Sequence, residues 1–363
     1  MASNSSSHFL DQLRVAFFHI GLPIFGLVGI CGNCMALILI RSNYQLRKLP
    51  SNCYLTFLAA ASSVFLLATL LMWLEMLELV AIYNRNSNGC KVLTYVAHLC
   101  DFVCVWMITF VCFDRAVVLF RPNWRRNLCS LTAATRVTVA TVMIGFLLYL
   151  CCIPLANVVE NRHLGRSECG VSDEHSIVYI IFITFDTVIC TVLPCIVIIV
   201  MNCLALRKYR QARRLSAQFI RVRFRHSSQF SERALLPNRD EHCTLTIENG
   251  LEAERRESTT NNRQSLKPSD LDLTKILLII TSAFVLLNLP SYGIRTFRSL
   301  FWHTDTFLIR FLEFIFYIMY YSHHAVIFYL YIFWSPQMKK QLKPTAIKLL
   351  ECYCLKTVDN ELV

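Results

Sequence analysis

Seven long apolar stretches, separated by charged or polar loops, leave this chain few folds to choose from. They cover residues 15–40, 49–74, 92–113, 137–159, 175–206, 276–294 and 314–338. Each has the ~18 apolar positions that a helix needs to cross a bilayer core of about 30 Å. A soluble reading would require two domains with heavily apolar surfaces, because 55% of the residues are hydrophobic and only 17% charged. The expectation is an all-α membrane protein, a seven-transmembrane-helix bundle over residues 15–338. A short segment, 1–14, precedes it and a tail, 339–363, follows; residues 207–275 form its longest loop, whose start through Arg225 can continue the fifth helix and whose remainder reads as disordered.

Arginine and lysine set the orientation. Arg14, Arg85, Lys91, Arg162, Arg166, Arg295, Arg298 and Arg310 lie on one side, and the other 28 of the 36 basic residues on the opposite side. The positive-inside rule then puts the N-terminus outside and the tail in the cytosol, as in a multi-pass plasma-membrane protein. The net charge of +12 belongs to cytosolic loops facing anionic lipid, not to a nucleic-acid surface. The few aromatics in those basic loops, such as Tyr209 and Phe224, do not form the interleaved surface that base stacking would require. No cleavable signal peptide is expected, since the first apolar run is too long and reads as a span. Asn4-Ser5-Ser6 is a glycosylation sequon in the outside segment.

The third stretch is the most specific. From Lys91 to Asp114 the only charge is Asp101, and a helix carries the 25 positions from Cys90 to Asp114 about 37 Å. Cys90 therefore sits at one membrane face and Asp114-Arg115 at the other. Gly32-Asn33 stands in the first span, Leu58-Ala59-Ala60-Ala61 in the second, and Pro194 and Pro290 lie within the fifth and sixth. Each proline removes a backbone hydrogen bond and supplies a hinge. Tyr331 and Ser335-Pro336 close the seventh. Together these residues resemble the rhodopsin-like (class A) G-protein-coupled receptors. The stretch from Cys90 to Trp106, and Phe328-Tyr329-Leu330-Tyr331, resemble invertebrate neuropeptide receptors.

Most of the seventeen cysteines lie inside spans, where they behave as small apolar residues, and no spacing suggests a zinc site. Cys90 and Cys169 face the oxidising side, where a bridge would pin the second outer loop to the third helix. Beyond the seventh span, Ser335 and Pro336 suit the start of a short amphipathic eighth helix, which Pro344 is expected to stop. Cys352 and Cys354 follow as candidate palmitoylation sites.

The departures from the family pattern are as informative. Ser62 stands where the family has a sodium-binding carboxylate, and Asn288 where it has a tryptophan two residues before Pro290. Asn202 replaces a tyrosine after Pro194, Ala116 replaces the tyrosine of Asp-Arg-Tyr, and Ile327 to Tyr331 keeps only the last residue of its motif. The expected polar core is Asn33, Ser62, Asn288, His323 and His324. The expected switch residues are Asp114, Arg115, Asp270, Asn288, Pro290 and Tyr331. Either Asp270 pairs with Arg115 at rest, a contact broken when the sixth helix swings out, or it merely caps that helix.

Ionisable residues in the outer half are the candidate ligand contacts: Asp101, His98, Asp186, Glu75, Glu313 and Arg295. Glu78 lies at the same mouth. They suggest an acidic floor and rim for a ligand with an amine or guanidinium; the alternative for each acid is a pairing within the bundle. Ala97 stands where amine receptors anchor their ligand, so a short peptide with a basic or amidated end fits better.

The resemblance implies a heterotrimeric G protein and arrestin as cytosolic partners. Ser216 and Ser258 follow paired arginines as basic-directed kinase sites do, and Glu361-Leu362-Val363 could dock a PDZ domain. No cofactor or metal is expected, because His323 and His324 are adjacent and should point about 100° apart on a helix. Nothing suggests an enzyme. The competing readings are a non-signalling or decoy seven-helix protein, a small-amine receptor, and a polytopic transporter, whose internal repeats and broken helices are not seen here. An N-terminal epitope should label intact cells, and a C-terminal one only permeabilised cells. The reverse labelling would overturn the receptor reading.

Overall fold

The computed structural model describes residues 2–120, 124–161, 166–233, 268–300, 306–335 and 338–347. Among them, seven helices are long and apolar enough to cross a membrane: His8–Ser42, Pro50–Met76, Ser87–Phe120, Leu131–Leu155, Ser176–Gln211, Asp272–Arg298 and Phe307–Trp334. The chain is a multi-pass membrane protein built as a seven-helix bundle.

Helix ends follow local chemistry. Asn43 caps a short turn by accepting from the Gln45 and Leu46 N–H groups at 2.9 and 3.3 Å. Pro50 opens the second span, where its missing N–H costs nothing. Ser130 and Thr306 cap the fourth and seventh spans from the Ala133 and Ile309 N–H groups. Single π turns at Phe17–Gly21 and Val188–Val192 precede Pro23 and Pro194. Widening the helix there relieves the clash between each proline ring and the carbonyl four residues earlier.

The third span is the axis. It packs against the second, fourth, fifth and sixth, and 83% of its most apolar window is buried, against 28% for the peripheral fourth span. Its core side chains include Cys104, Val105, Met107 and Ile108, none of which is exposed. Large apolar residues such as Ile24, Ile144, Ile181 and Leu286 cover the opposite faces of the other spans, as a lipid-facing surface requires.

Three sequence expectations change. Helix Leu193–Arg233 runs into the expected loop 207–275, and helix Pro268–Leu300 begins before its end. The fourth span ends at Leu155, short of residue 159, because Ala156–Asn161 is a strand paired antiparallel with Arg166–Val171. The β-branched Val158 and Val159 suit this hairpin, whose register sets Val158 opposite Cys169. Residues 338–347 are helical and run through Pro344 instead of stopping there. Met338 is fully buried, while Lys339, Lys340 and Lys343 are exposed.

The hairpin is tied to the third span by a Cys90–Cys169 disulfide with a Cα–Cα separation of 5.6 Å. The Cys169 N–H donates to Asn84 Oδ1 at 3.0 Å, and Ser87 Oγ donates to Asn157 Oδ1 at 2.9 Å. Gly89 is required beside this bridge, since a Cβ there would lie 1.8 Å from the Ile82 carbonyl oxygen. Cys90→Ser and Cys169→Ser should each destabilise the purified protein by about 2–5 kcal/mol in thermal unfolding. The double variant should be no worse than either single one.

Candidate functional site

Near the Cys90 end a cavity of about 230 Å³ opens between the second, third, sixth and seventh spans. The second contributes Phe65, Ala68, Thr69 and Met72, and the third Thr94, Ala97, His98 and Asp101. Arg295 enters from the sixth span, and Tyr317, Tyr320 and Tyr321 from the seventh. Asp101 is buried, and Tyr292 donates a hydrogen bond to its Oδ2. The Arg295 guanidinium lies 5.7 Å from the Tyr292 ring centre, and its charge interacts with Asp101 and Asp186.

The expected ligand residues separate into two groups. The cavity brings Asp101, His98 and Arg295 together, whereas the other acids are engaged elsewhere. Asp186 is buried behind the cavity wall, where Tyr149 Oη donates to its Oδ1 at 2.5 Å and His98 Nδ1 lies 3.7 Å from its Oδ2. Glu75 accepts the backbone N–H groups of Tyr83, Asn84 and Arg85 at 2.5, 2.9 and 3.2 Å, closing the loop that leads to Cys90. Glu313 holds Arg298 at 2.7 Å. Glu78 turns the chain after the second span with a φ of 60°, and faces Arg85 at 3.7 Å. The cavity is therefore not an acidic bowl: one aspartate faces one arginine across phenol walls. Tyr317, Tyr320 and Tyr321 were missed from sequence, although with His324 they follow the i, i+3, i+4, i+7 period of one helix face.

Beneath the cavity lies a polar core. Asn33 Nδ2 donates to the His324 carbonyl at 3.0 Å, joining the first and seventh spans. His324 Nδ1 lies 3.4 Å from Ser62 Oγ, which lies 3.4 Å from Cys104 Sγ. The His324 ring stacks on Phe65 with centroids 4.0 Å apart. Asn288 Nδ2 donates to the Phe284 carbonyl at 3.1 Å. The two histidines do not diverge as expected from their adjacency. Their ring centroids are 3.7 Å apart and tilted by 39°, because side-chain rotation carries both inward.

At the opposite end, Arg115 Nε donates to Asp114 Oδ2 at 3.1 Å, and its Nη2 donates to the same oxygen and to Ser51 Oγ, the latter at 2.7 Å. Ser51 Oγ in turn donates to Asp114 at 2.8 Å. All three residues are buried. Tyr331 Oη donates to Asn52 Oδ1 at 2.9 Å, and Asn52 Nδ2 to the Leu46 carbonyl at 2.8 Å. Asn202 bridges three spans, accepting from Thr281 at 3.1 Å and Cys112 at 3.5 Å and donating to Ser282 at 3.3 Å. A water-sized void of about 10 Å³ separates Arg115 from Asn202 and Thr281. Pro290 lies inside the sixth helix, between this latch and the cavity.

Asp270 stands in the first turn of the helix Pro268–Leu300, Asn4 in Ala2–Ala16 and Ser216 in Leu193–Arg233, but their side chains lie outside the described residues. Ser258, Cys352 and Cys354 lie wholly outside them. The structure thus has a polar cavity at one end, a closed polar latch at the other, and one buried helix running between them.

A family model described as 7 transmembrane receptor (rhodopsin family) matches residues 32–327. No curated protein matches the chain.

Glu75→Ala should lower thermal stability by about 2 kcal/mol, the scale for hydrogen bonds to a charged group. It should also speed backbone hydrogen exchange across residues 77–86. An unchanged exchange rate there would show that the carboxylate does not hold this loop.

Proposed function

The chain belongs to the rhodopsin family of seven-transmembrane receptors, and from that premise we propose that it receives a short extracellular peptide and activates a heterotrimeric G protein. The peptide enters at the Cys90 end, the outside face of a plasma-membrane receptor whose N-terminus is extracellular. Its basic or amidated end reaches the Asp101 floor. The observation that carries this reading is that one cavity holds both Asp101 and Arg295.

A terminal carboxamide suits that pair better than a free amine or a free acid. Its carbonyl accepts from the Arg295 guanidinium, while its NH2 donates to the Asp101 carboxylate, and no net charge enters the bundle. The cavity volume matches one terminal residue, so the rest of the peptide would lie against the disulfide-anchored hairpin. The phenols around the floor offer both hydroxyls and ring faces to that residue.

At the Arg115 end the latch must open for a G protein to dock. The sixth span can swing out only if Asn202 releases Thr281 and Ser282, which removes one wall of the void beside Arg115. Arg115 then exchanges Asp114 and Ser51 for the partner. Two arrangements of one polar cluster, biased from the far end of the bundle, constitute the bistable element that switching requires. Asp270 stands at the foot of the same span, where the arginine can reach for it in one of the two states. The Asn202 bridge across three spans also favours a second reading, a seven-helix protein held shut that does not signal.

Cells expressing this chain, tested for G-protein activation against basic, amidated and free-acid peptides, separate the two. We expect an amidated peptide to act, Arg115→Ala to abolish the response at equal surface density, and Asp101→Asn to require about tenfold more peptide, or ~1.4 kcal/mol. A response that survives Arg115→Ala undiminished, or a surface-expressed chain silent to the whole library, would favour the non-signalling reading.

A further inference from the structure

Three buried side chains from the third and seventh spans come together, each with one half engaged and the other half open. Asp101, His323 and His324 each bring a ligand-capable atom to within 4.8 Å of the others. Their relative exposures are 6, 0 and 0%. His323 Nδ1 lies 2.7 Å from the Tyr320 carbonyl, which can only accept, so that nitrogen carries the proton and Nε2 presents its lone pair. His324 Nδ1 is engaged by Ser62 and lies 4.0 Å from Cys104 Sγ. Tyr292 occupies Asp101 Oδ2. His323 Nε2, His324 Nε2 and Asp101 Oδ1 have no hydrogen-bond partner among the described residues, nor has Asn288 Oδ1 on the sixth span.

These open atoms pose an accounting problem. A carboxylate oxygen, an amide oxygen and an imidazole Nε2 whose Nδ1 holds the proton are all acceptors. A water brings only two protons to them. A cation held by Asp101 Oδ1 and the two imidazole nitrogens would satisfy those lone pairs at once.

We propose that Asp101, His323 and His324 form a site for a divalent transition-metal ion of the zinc class. Two imidazole nitrogens and one carboxylate oxygen suit zinc, whereas magnesium and calcium take oxygen-rich sets. A histidine whose far N–H is held by a backbone carbonyl is the usual support for a metal ligand, and His323 has it from Tyr320. Tetrahedral ligands at ~2.0–2.1 Å from zinc stand about 3.4 Å apart, so closing the site needs side-chain shifts of roughly an ångström. A bound ion would tie the third span to the seventh and form the base of the cavity above. The inference stands on these residues alone and does not need the peptide reading.

The test is metal binding by the full-length chain in detergent, stripped with a chelator and then titrated with zinc, and separately with cobalt(II) for its visible spectrum. We expect one tight zinc per chain and a rise in melting temperature as the ion selects the folded state. The cobalt spectrum should be that of a four-coordinate nitrogen and oxygen site without thiolate charge-transfer bands. Asp101→Asn and His323→Gln should each weaken that one equivalent by more than the ~10–100-fold typical of losing a supporting contact. If either variant fails to fold, the wild-type cobalt spectrum decides. Thiolate bands would place the metal on cysteines and overturn the site. So would zinc uptake identical in the foldable variants, or no uptake by the wild type.

Discussion

A third helix that carries three buried charged residues is the constraint around which this bundle is arranged. Asp101, Asp114 and Arg115 all lie on it at relative exposures of 6% or less, away from bulk water. Each must therefore find partners on a neighbouring helix, because an unsatisfied charge there costs several kcal/mol. Tyr292 of the sixth span serves Asp101, and Ser51 at the start of the second serves Asp114 and Arg115 together. The same pairings hold the neighbouring spans in register against the axis. Polar satisfaction and packing are one problem in this protein.

That constraint also explains how a chain with so many altered family motifs retains a coherent interior. A Ser62 hydroxyl cannot replace a carboxylate's charge, but it can join Cys104 and His324 in a neutral chain of contacts. Asn202 is shorter than a tyrosine, yet its amide both donates and accepts and so reaches the third and sixth spans from the fifth. Tyr331 keeps its place by donating to Asn52. Chemically different side chains fill the same positions because the bundle demands paired lone pairs and protons there, not particular residues. At the histidine pair, His323 Nε2 is an acceptor that no donor among the described residues meets.

Much of this was legible in the chain itself. Span number follows from the length of apolar runs, since a bilayer of fixed thickness sets the helix length. The placing of Cys90 and Arg115 at opposite ends of one span is arithmetic on the rise per residue. The Cys90–Cys169 bridge was expected from the few loop cysteines on the oxidising side. The roles of individual acids were not legible. Glu75, Glu78, Asp186 and Glu313 all lie near the same mouth, and linear spacing cannot say which faces a cavity and which faces a backbone. Glu75 turned out to hold a loop, and Asp186 to hold a buried phenol. The hairpin at Ala156–Asn161 was hidden because two valines continue an apolar run as readily in a strand as in a helix.

The sequence by itself determined the membrane architecture, the order of the spans and the family, because hydropathy, helical rise and short motifs are local properties of the chain. Tertiary structure alone decided which polar groups meet. Rotamers and helix rotations, set by packing against neighbours far away in sequence, turned two adjacent histidines toward one aspartate 222 residues before the first of them. No periodicity along the chain encodes a contact of that kind.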